Sequence, residues 1–486
     1  MRVPATPPTY RHSCFLFLRA LGLVYLIAFY SLWIQLPGLV GHHGILPADF
    51  FLTTLHEQLG SDAYWLAPTL CWLNPSDSFR DWICLGGMLA SVLLVAGVMP
   101  AACLAALWAF YLSLMVVGQE FLAFQWDALL LEAGFLAIFV SPLRWRSRPG
   151  QDPEPPRLMV HLLWWLLFRL ILSSGIVKIL SQDPTWRDLS ALSFHYETQP
   201  LPNPLSWYVH QLPGWFHRLS VVVMFGLELI GSFLFWGSRT CRILACGAQV
   251  GLQLLIAATG NYAFFNGLTI ALCLPLLDDR LLQRAPLGRR WQVASPCNGT
   301  NWSRWVIWPI AALVGVLTAV PMLQTVKLDF LCPQPVRALY RWVSPFNTFN
   351  SYGLFAVMTT ERPEIIVEGS RDGVTWQPYE FKFKPGDPLA RPSFVAPYQP
   401  RLDWQMWFAA LGHYRNNPWF LKFCWRLLEG RPEVLGLLAG NPFPDVPPSR
   451  LRAVVYDYRF TNASASSAWW RRQVKYLYCP VLSSGR

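Results

Sequence analysis

The chain has 486 residues, of which 53% are hydrophobic, 15% aromatic and 14% charged. A soluble globular chain carries about 25% charged residues; here long apolar blocks fill the chain up to about residue 325, and polar sequence dominates after it. The net charge of +11 rests on arginines in short loops beside those blocks, the pattern by which membrane proteins set their orientation, and this sets nucleic acid aside as a partner.

The first apolar block, Phe15–Leu36, is long enough to cross a bilayer, and no small-residue cleavage site follows it. It therefore reads as a first span and not as a signal peptide. A helix needs about 20 apolar residues to cross the hydrocarbon core. The candidate spans are 13–35, 82–99, 101–118, 122–141, 158–180, 219–237, 243–260, 262–277 and 305–325, nine in all, with Pro100 separating the second from the third.

Loop charge tests that count. Loop 142–157 carries Arg144, Arg146, Arg148 and Arg157; loop 238–242 carries Arg239 and Arg242; loop 278–304 carries Arg280, Arg284, Arg289, Arg290 and Arg304. Loop 36–81 holds Asp49, Glu57, Asp62, Asp77 and Asp81 against Arg80. Nine spans with the N-terminus inside put all three basic loops in the cytoplasm and the acidic one outside. The same parity puts residues 326–486 outside. Eleven cysteines occur with no CxxC pair. Cys14, Cys84, Cys103, Cys246 and Cys273 read as small hydrophobes. Cys71, Cys332, Cys424 and Cys479 fall in outer segments, where a disulfide is open but its partners are undetermined.

The C-terminal part changes period. Glu364–Val367 leads into Asp372-Gly373, a hairpin signal. Thr375–Lys384 and Leu451–Phe460 then alternate as strands do, and 404–440 between them reads as helical. The fold expected is an α-helical polytopic membrane domain over 1–325 plus a β-rich, sandwich-like extramembrane domain with a helical insert over 326–486.

Ionisable groups inside spans are costly and are candidates for function. Glu132, Arg169 and Glu228 lie near the middle of theirs; Asp127 and Lys178 lie toward the outer ends. Depth matching pairs Glu132 with Arg169 and Asp127 with Lys178, and leaves Glu228 over. Such pairs either fix helix register or, for a lysine in apolar surroundings, supply a base.

Outer loop 181–218 concentrates polar groups: Phe194, His195, Tyr196, Glu197, Thr198, Gln199, Pro200, Leu201, Pro202, Asn203 and Pro204 follow one another. Three prolines in five residues stop a helix. The loop reads either as a binding or catalytic lip, with His195 and Glu197 as an acid–base pair, or as an interfacial plug with Trp207, Tyr208 and Trp215 as belt aromatics. No P-loop, GxGxxG, HExxH or GxSxG occurs, and His42-His43 lacks further ligands at useful spacing, so neither cofactor nor metal is expected. Sequons begin at Asn298, Asn301 and Asn462; only the last falls in a segment read as outside.

At these residues the sequence resembles the lipase maturation factors. The likeness is carried by Arg19-Ala20-Leu21-Gly22, Gly44-Ile45-Leu46-Pro47, Phe124–Glu132, Phe194–Pro204, Trp215-Phe216-His217-Arg218, Gly260-Asn261-Tyr262, Leu277-Asp278-Asp279, Ala396–Gly412, Asn441-Pro442-Phe443 and Trp469-Trp470. The resemblance implies a multi-pass protein of the endoplasmic reticulum membrane whose lumenal C-terminal domain contacts a client, a lipase or other secreted protein, with no established catalytic activity. Ser483–Arg486 shows no retention signal, and the compact, arginine-rich chain looks like a bacterial member, which would sit in the inner membrane. Ser174-Gly175-Ile176-Val177-Lys178, followed by Trp186, is similar to the base-lysine segment of vitamin K-dependent γ-glutamyl carboxylases.

Two readings follow. In the first, a non-enzymatic maturation factor holds its client on exposed aromatics, Trp404, Trp407 and Phe408. In the second, a membrane enzyme works on a lipid-soluble substrate, with Lys178 as base and His195, Glu197 and Asp127 around it. A transporter ranks last, since no inverted repeat is evident.

Overall fold

The computed structural model describes residues 8–284, 302–462 and 468–483. Arg289, Arg290 and the sequons at Asn298 and Asn301 lie outside the described residues. Among the described residues, seven helices are long and apolar enough to cross a membrane: Arg11–Trp33, Asp77–Ala96, Pro100–Val117, Arg157–Leu180, Gly214–Trp236, Arg239–Thr259 and Arg304–Thr325. Each matches a candidate span from the sequence. The other two candidates are the helix Gln125–Val140 and the shorter Phe265–Leu276.

Those two are short for a physical reason. Sixteen residues at about 1.5 Å each reach about 24 Å, less than the ~30 Å hydrocarbon core. Yet Gln125–Val140 runs from one end of the bundle to the other. Near its start, Asp127 meets Arg401 of the C-terminal region. Beyond its end, Trp145 O accepts from Met99 N–H, and Ser147 N–H donates to Gly97 O. Both short helices are largely buried by longer neighbours, so neither has to match the bilayer thickness alone.

Contacts at the bundle ends sort the loops. Glu154 and Asp279 accept from the backbone N–H groups of Tyr10, Arg11 and His12, and Arg239 pairs with Asp278. The basic loops and the start of the first helix thus share one end. At the other end of that helix, Ser31 and Gln35 donate to Gln399 O, and Gln35 accepts from Arg401 N–H at 2.9 Å. The first described residues and the C-terminal region therefore occupy opposite ends of the bundle.

Among the described residues, four antiparallel strands form the C-terminal sheet: β1 (Arg362–Ser370), β2 (Gln377–Pro378), β3 (Arg450–Phe460) and β4 (Trp470–Ser483), in the order β2-β1-β3-β4. The turn after β1 is built as its residues require. Gly373 takes φ +79°, and Asp372 accepts from the N–H groups of Val374 and Thr375 at 2.8 Å. The alternation over Thr375–Lys384 does not become a long strand. Gln377–Pro378 pairs with β1, Tyr379 N–H donates to Val367 O and Phe381 makes an isolated bridge with Leu438, but the ladder stops there because Pro378 has no N–H and the N–H groups of Phe383 and Lys384 go to the Asp403 carboxylate.

The helical insert is present as Arg401–Ala410, Pro418–Glu429 and Pro432–Leu435. Phe420 of the second helix packs edge-on against Tyr478 of β4, ring centroids 5.1 Å apart, and Trp419 meets Phe121 of the bundle end, so among the described residues helices take the place where a sandwich would have a second sheet. Cys71, Cys332, Cys424 and Cys479 are buried free thiols.

Candidate functional site

The intramembrane charges are paired, though not all as depth alone suggests. Arg169 bridges Glu132 as expected. The same carboxylate accepts from Tyr352 Oη at 2.6 Å and from Asn350 N–H, and Arg169 donates to Asn350 O. Residues 350–353 thus return from beyond the last span to complete the pair. Asp127 does not meet Lys178. It holds Arg401 through two hydrogen bonds of 2.9 and 3.0 Å, and Tyr111 also donates to it. Lys178 instead meets Glu228, both of whose oxygens lie 2.9 Å from Nζ, while Ser174 O accepts the third N–H at 3.0 Å. A shared depth does not guarantee a shared face, and a guanidinium from outside the bundle is closer to Asp127 than any lysine within it.

Gly175 makes the Lys178–Glu228 pair accessible. A Cβ there would lie 2.7 Å from Leu229 Cδ2 and 3.1 Å from Glu228 Cβ, so only glycine lets the two helices approach this closely. Opposite it, Gly226–Ile230 forms a π turn that carries Glu228. Such turns recur at functional positions.

The 194–204 stretch is a joint and not an open lip. Phe194–Thr198 belongs to the short helix Ala191–Thr198, and Asn203 caps the next helix, Pro204–His210. Arg362 of β1 donates to the carbonyls of Glu197, Gln199 and Pro200. Trp407 Nε1 donates to Thr198 O at 2.9 Å. Glu197 accepts from Phe460 N–H at 2.6 Å and from Arg459 at 3.1 Å. On the bundle side, Gln199 donates to Thr259 O and accepts from Tyr262 Oη, and Asn203 donates to Ala258 O.

His195 and Glu197 are therefore not an acid–base pair. They stand two apart on a helix, a spacing that does not bring side chains together, and each has other partners. His195 Nε2 lies 3.1 Å from Tyr262 Oη. Burial, and then the nearby Lys178 charge, lower the His195 imidazole to about 4.

Two of the three proposed client contacts also move. Trp404 is 3% exposed, its ring centroid 4.8 Å from that of Trp126, and Trp407 is 8% exposed. These rings are core of the joint between bundle and sheet. Phe408, at 44%, stays at the surface.

One feature of the enzyme reading is present. Lys178 and His195 line the same cavity, of about 400 Å³, with Trp186, Tyr196, Glu228 and Gln253. Asp127 and Glu197 do not line it. Lys178 Nζ is already committed to both Glu228 oxygens and to Ser174 O, so it is not free to reach a substrate in the cavity. Among the described residues no group of three or more His, Cys, Asp or Glu is placed to hold a metal ion.

Comparison with known proteins decides the family. A model described as the lipase maturation factor transmembrane domain matches residues 13–284, and one described as the lipase maturation factor C-terminal domain matches 348–480. The chain belongs to the lipase maturation factor family. It is 38% identical to lipase maturation factor 2 of Gallus gallus, over 97% of this chain and 81% of that protein. It is 36% identical to lipase maturation factor 2 of Homo sapiens (97% and 82%) and 34% identical to lipase maturation factor 1 of Mus musculus (99% and 90%). No solved structure matches.

This member of the lipase maturation factor family is thus a multi-pass membrane protein whose C-terminal sheet is keyed into its bundle. The residues that make the key, Arg362, Arg401, Tyr352 and Asn350, were missed by sequence reading. All follow the last span, where an arginine or tyrosine reads as surface. The one available signal was Arg401 itself, a lone cation inside the apolar, aromatic string Ala396–Gly412.

Proposed function

We propose that this chain is a maturation factor embedded in the endoplasmic reticulum membrane that assists folding or assembly of a secreted lipase. Its relatives are named for that client. One observation carries the reading: Glu132, Arg169, Lys178, Glu228 and Asp127 are all spent on pairs that hold helices and sheet together. Each of these five groups serves as a structural tie, as a platform requires. The domain division at about 325 and a lumenal C-terminal region belong to the same proposal. They are supported by the basic loops gathered at the opposite end of the bundle. Client contact then falls to surface groups such as Phe408.

The test uses cells that lack their own maturation factors and express this chain with a secreted dimeric lipase. Lipase activity in the medium is read for wild type and for the double variant Lys178→Met/Glu228→Gln. A platform keeps most of its activity when the pair is removed together. Loss of activity at normal abundance would instead favour a lysine-dependent enzyme. Orientation is read separately: a glycan on Asn462, removed by Asn462→Gln, supports a lumenal C-terminal region, and glycans on Asn298 or Asn301 would overturn it.

A further inference from the structure

The cavity beside Lys178 has properties that a folding platform does not require. We propose that it is a binding site for a neutral single-tailed lipid, which enters from the bilayer and places a hydroxyl or carbonyl head group against Gln253 and Tyr196.

The walls are apolar. Leu170, Ile171, Leu219, Val223, Met224 and Ile256 make up much of the lining, and a volume of about 400 Å³ lies in the range of small-molecule sites. It has room for one acyl chain, and a two-tailed phospholipid would leave a chain outside. The mouth faces the lipid. Leu219, Val223 and Leu255 line the cavity and are also 53%, 52% and 66% exposed on the two helices Gly214–Trp236 and Arg239–Thr259. A water-filled pocket serving the aqueous phase would not open through a wall of exposed leucine and valine.

The inner end supplies the head-group contacts. Gln253 is buried, and its Oε1 accepts from Asn266 Nδ2 at 2.8 Å, but its Nε2 has no partner among the described residues. Tyr196, 8% exposed, also lines the cavity, and its hydroxyl has no partner among the described residues. Neither donor is spent within the protein, and oxygens on a ligand in the cavity would accept from them. Charge selects a neutral head. Lys178 and Glu228 cancel one another, so an anionic head would meet the Glu228 carboxylate and a cationic one the Lys178 ammonium. This inference is independent of any client.

The experiment uses the full chain in lipid nanodiscs with a photoreactive diazirine analogue of monooleoylglycerol, and maps the labelled residues by mass spectrometry. Labelling is expected within 214–236 and 252–259, competed by unlabelled monooleoylglycerol and about tenfold less well by oleate. The double variant Gln253→Leu/Tyr196→Phe should need about tenfold more competitor, the loss of one to two hydrogen bonds. Leu219→Trp, at an exposed position where a larger ring does not disturb the core, should block the mouth and the labelling. Uncompeted labelling spread over all lipid-facing helices would overturn the proposal, as would oleate competing equally well or better. The competition series on wild type stands even if the double variant fails to fold.

Discussion

Asp127 and Arg401 lie 274 positions apart, and neither side chain in this bidentate pair has any exposed surface. Arg401 also donates to Phe121 O at 2.7 Å, so the guanidinium joins the last turn before a bundle helix to the first turn of a helix from beyond the spans. Taking one partner away strands the other in a dry site. Arg401→Met should cost about 3–5 kcal/mol, read as thermal unfolding of the purified protein. The double variant Asp127→Asn/Arg401→Met should recover a large part of it. A single variant as stable as wild type would show that the joint does not depend on this pair.

Arg362 makes a different demand. Three carbonyls of the 194–204 stretch converge on one guanidinium, which Glu364 also pairs at 2.7 Å. A lysine carries one ammonium and cannot span the three oxygens in the same geometry. Arg362→Lys should cost about 2–3 kcal/mol and speed proteolytic cutting between Phe194 and Pro204. Unchanged cleavage there would remove Arg362 from its place as the clasp.

Close approach at Gly175 gives a packing test with an internal control. Gly175→Ala would push a methyl group into Leu229 and the Glu228 stem, and overpacking of this kind costs about 1–3 kcal/mol. Gly251→Ala, in the neighbouring helix Arg239–Thr259, meets nothing within 4 Å and should be neutral or slightly stabilising. Equal behaviour of the two variants in thermal unfolding would deny that helix contact at Gly175 matters.

The helices were legible because apolar length is a local property. Even Gln125–Val140 and Phe265–Leu276, short for a bilayer, announced themselves by composition. Pairing was legible only where both partners lie in spans and face one another, as Glu132 and Arg169 do. Lys178–Glu228 was obscured because it depends on the close contact at Gly175 and on the π turn that aims Glu228, and neither follows from depth. Asp127–Arg401 was obscured because its second partner is distant in sequence. Trp404 and Trp407 misled for a related reason. An aromatic cluster outside the membrane reads as exposed until the bundle end that covers it is known.

Asp403 gives a pH test with a definite sign. Its carboxylate accepts the N–H groups of Phe383 and Lys384 at 2.9 Å, yet burial outweighs those bonds and pushes it up to about 6. An unfolded aspartate titrates near 3.9, so the folded protein binds this proton more tightly. Its contribution to stability is fully present below about pH 4 and is lost as pH rises through about 6. The window is worth up to about 3 kcal/mol. Asp403→Asn keeps an oxygen for both N–H groups but cannot titrate. Relative to wild type, the variant should gain stability steadily from pH 4 to 6 and hold a constant lead above that. His195 works in the opposite sense: held down at about 4, it costs stability as pH falls from about 6.5. That loss is common to both proteins and cancels in the difference between their unfolding curves. A difference that stays flat across the window would mean that Asp403 remains charged throughout, held by the two N–H groups against its burial.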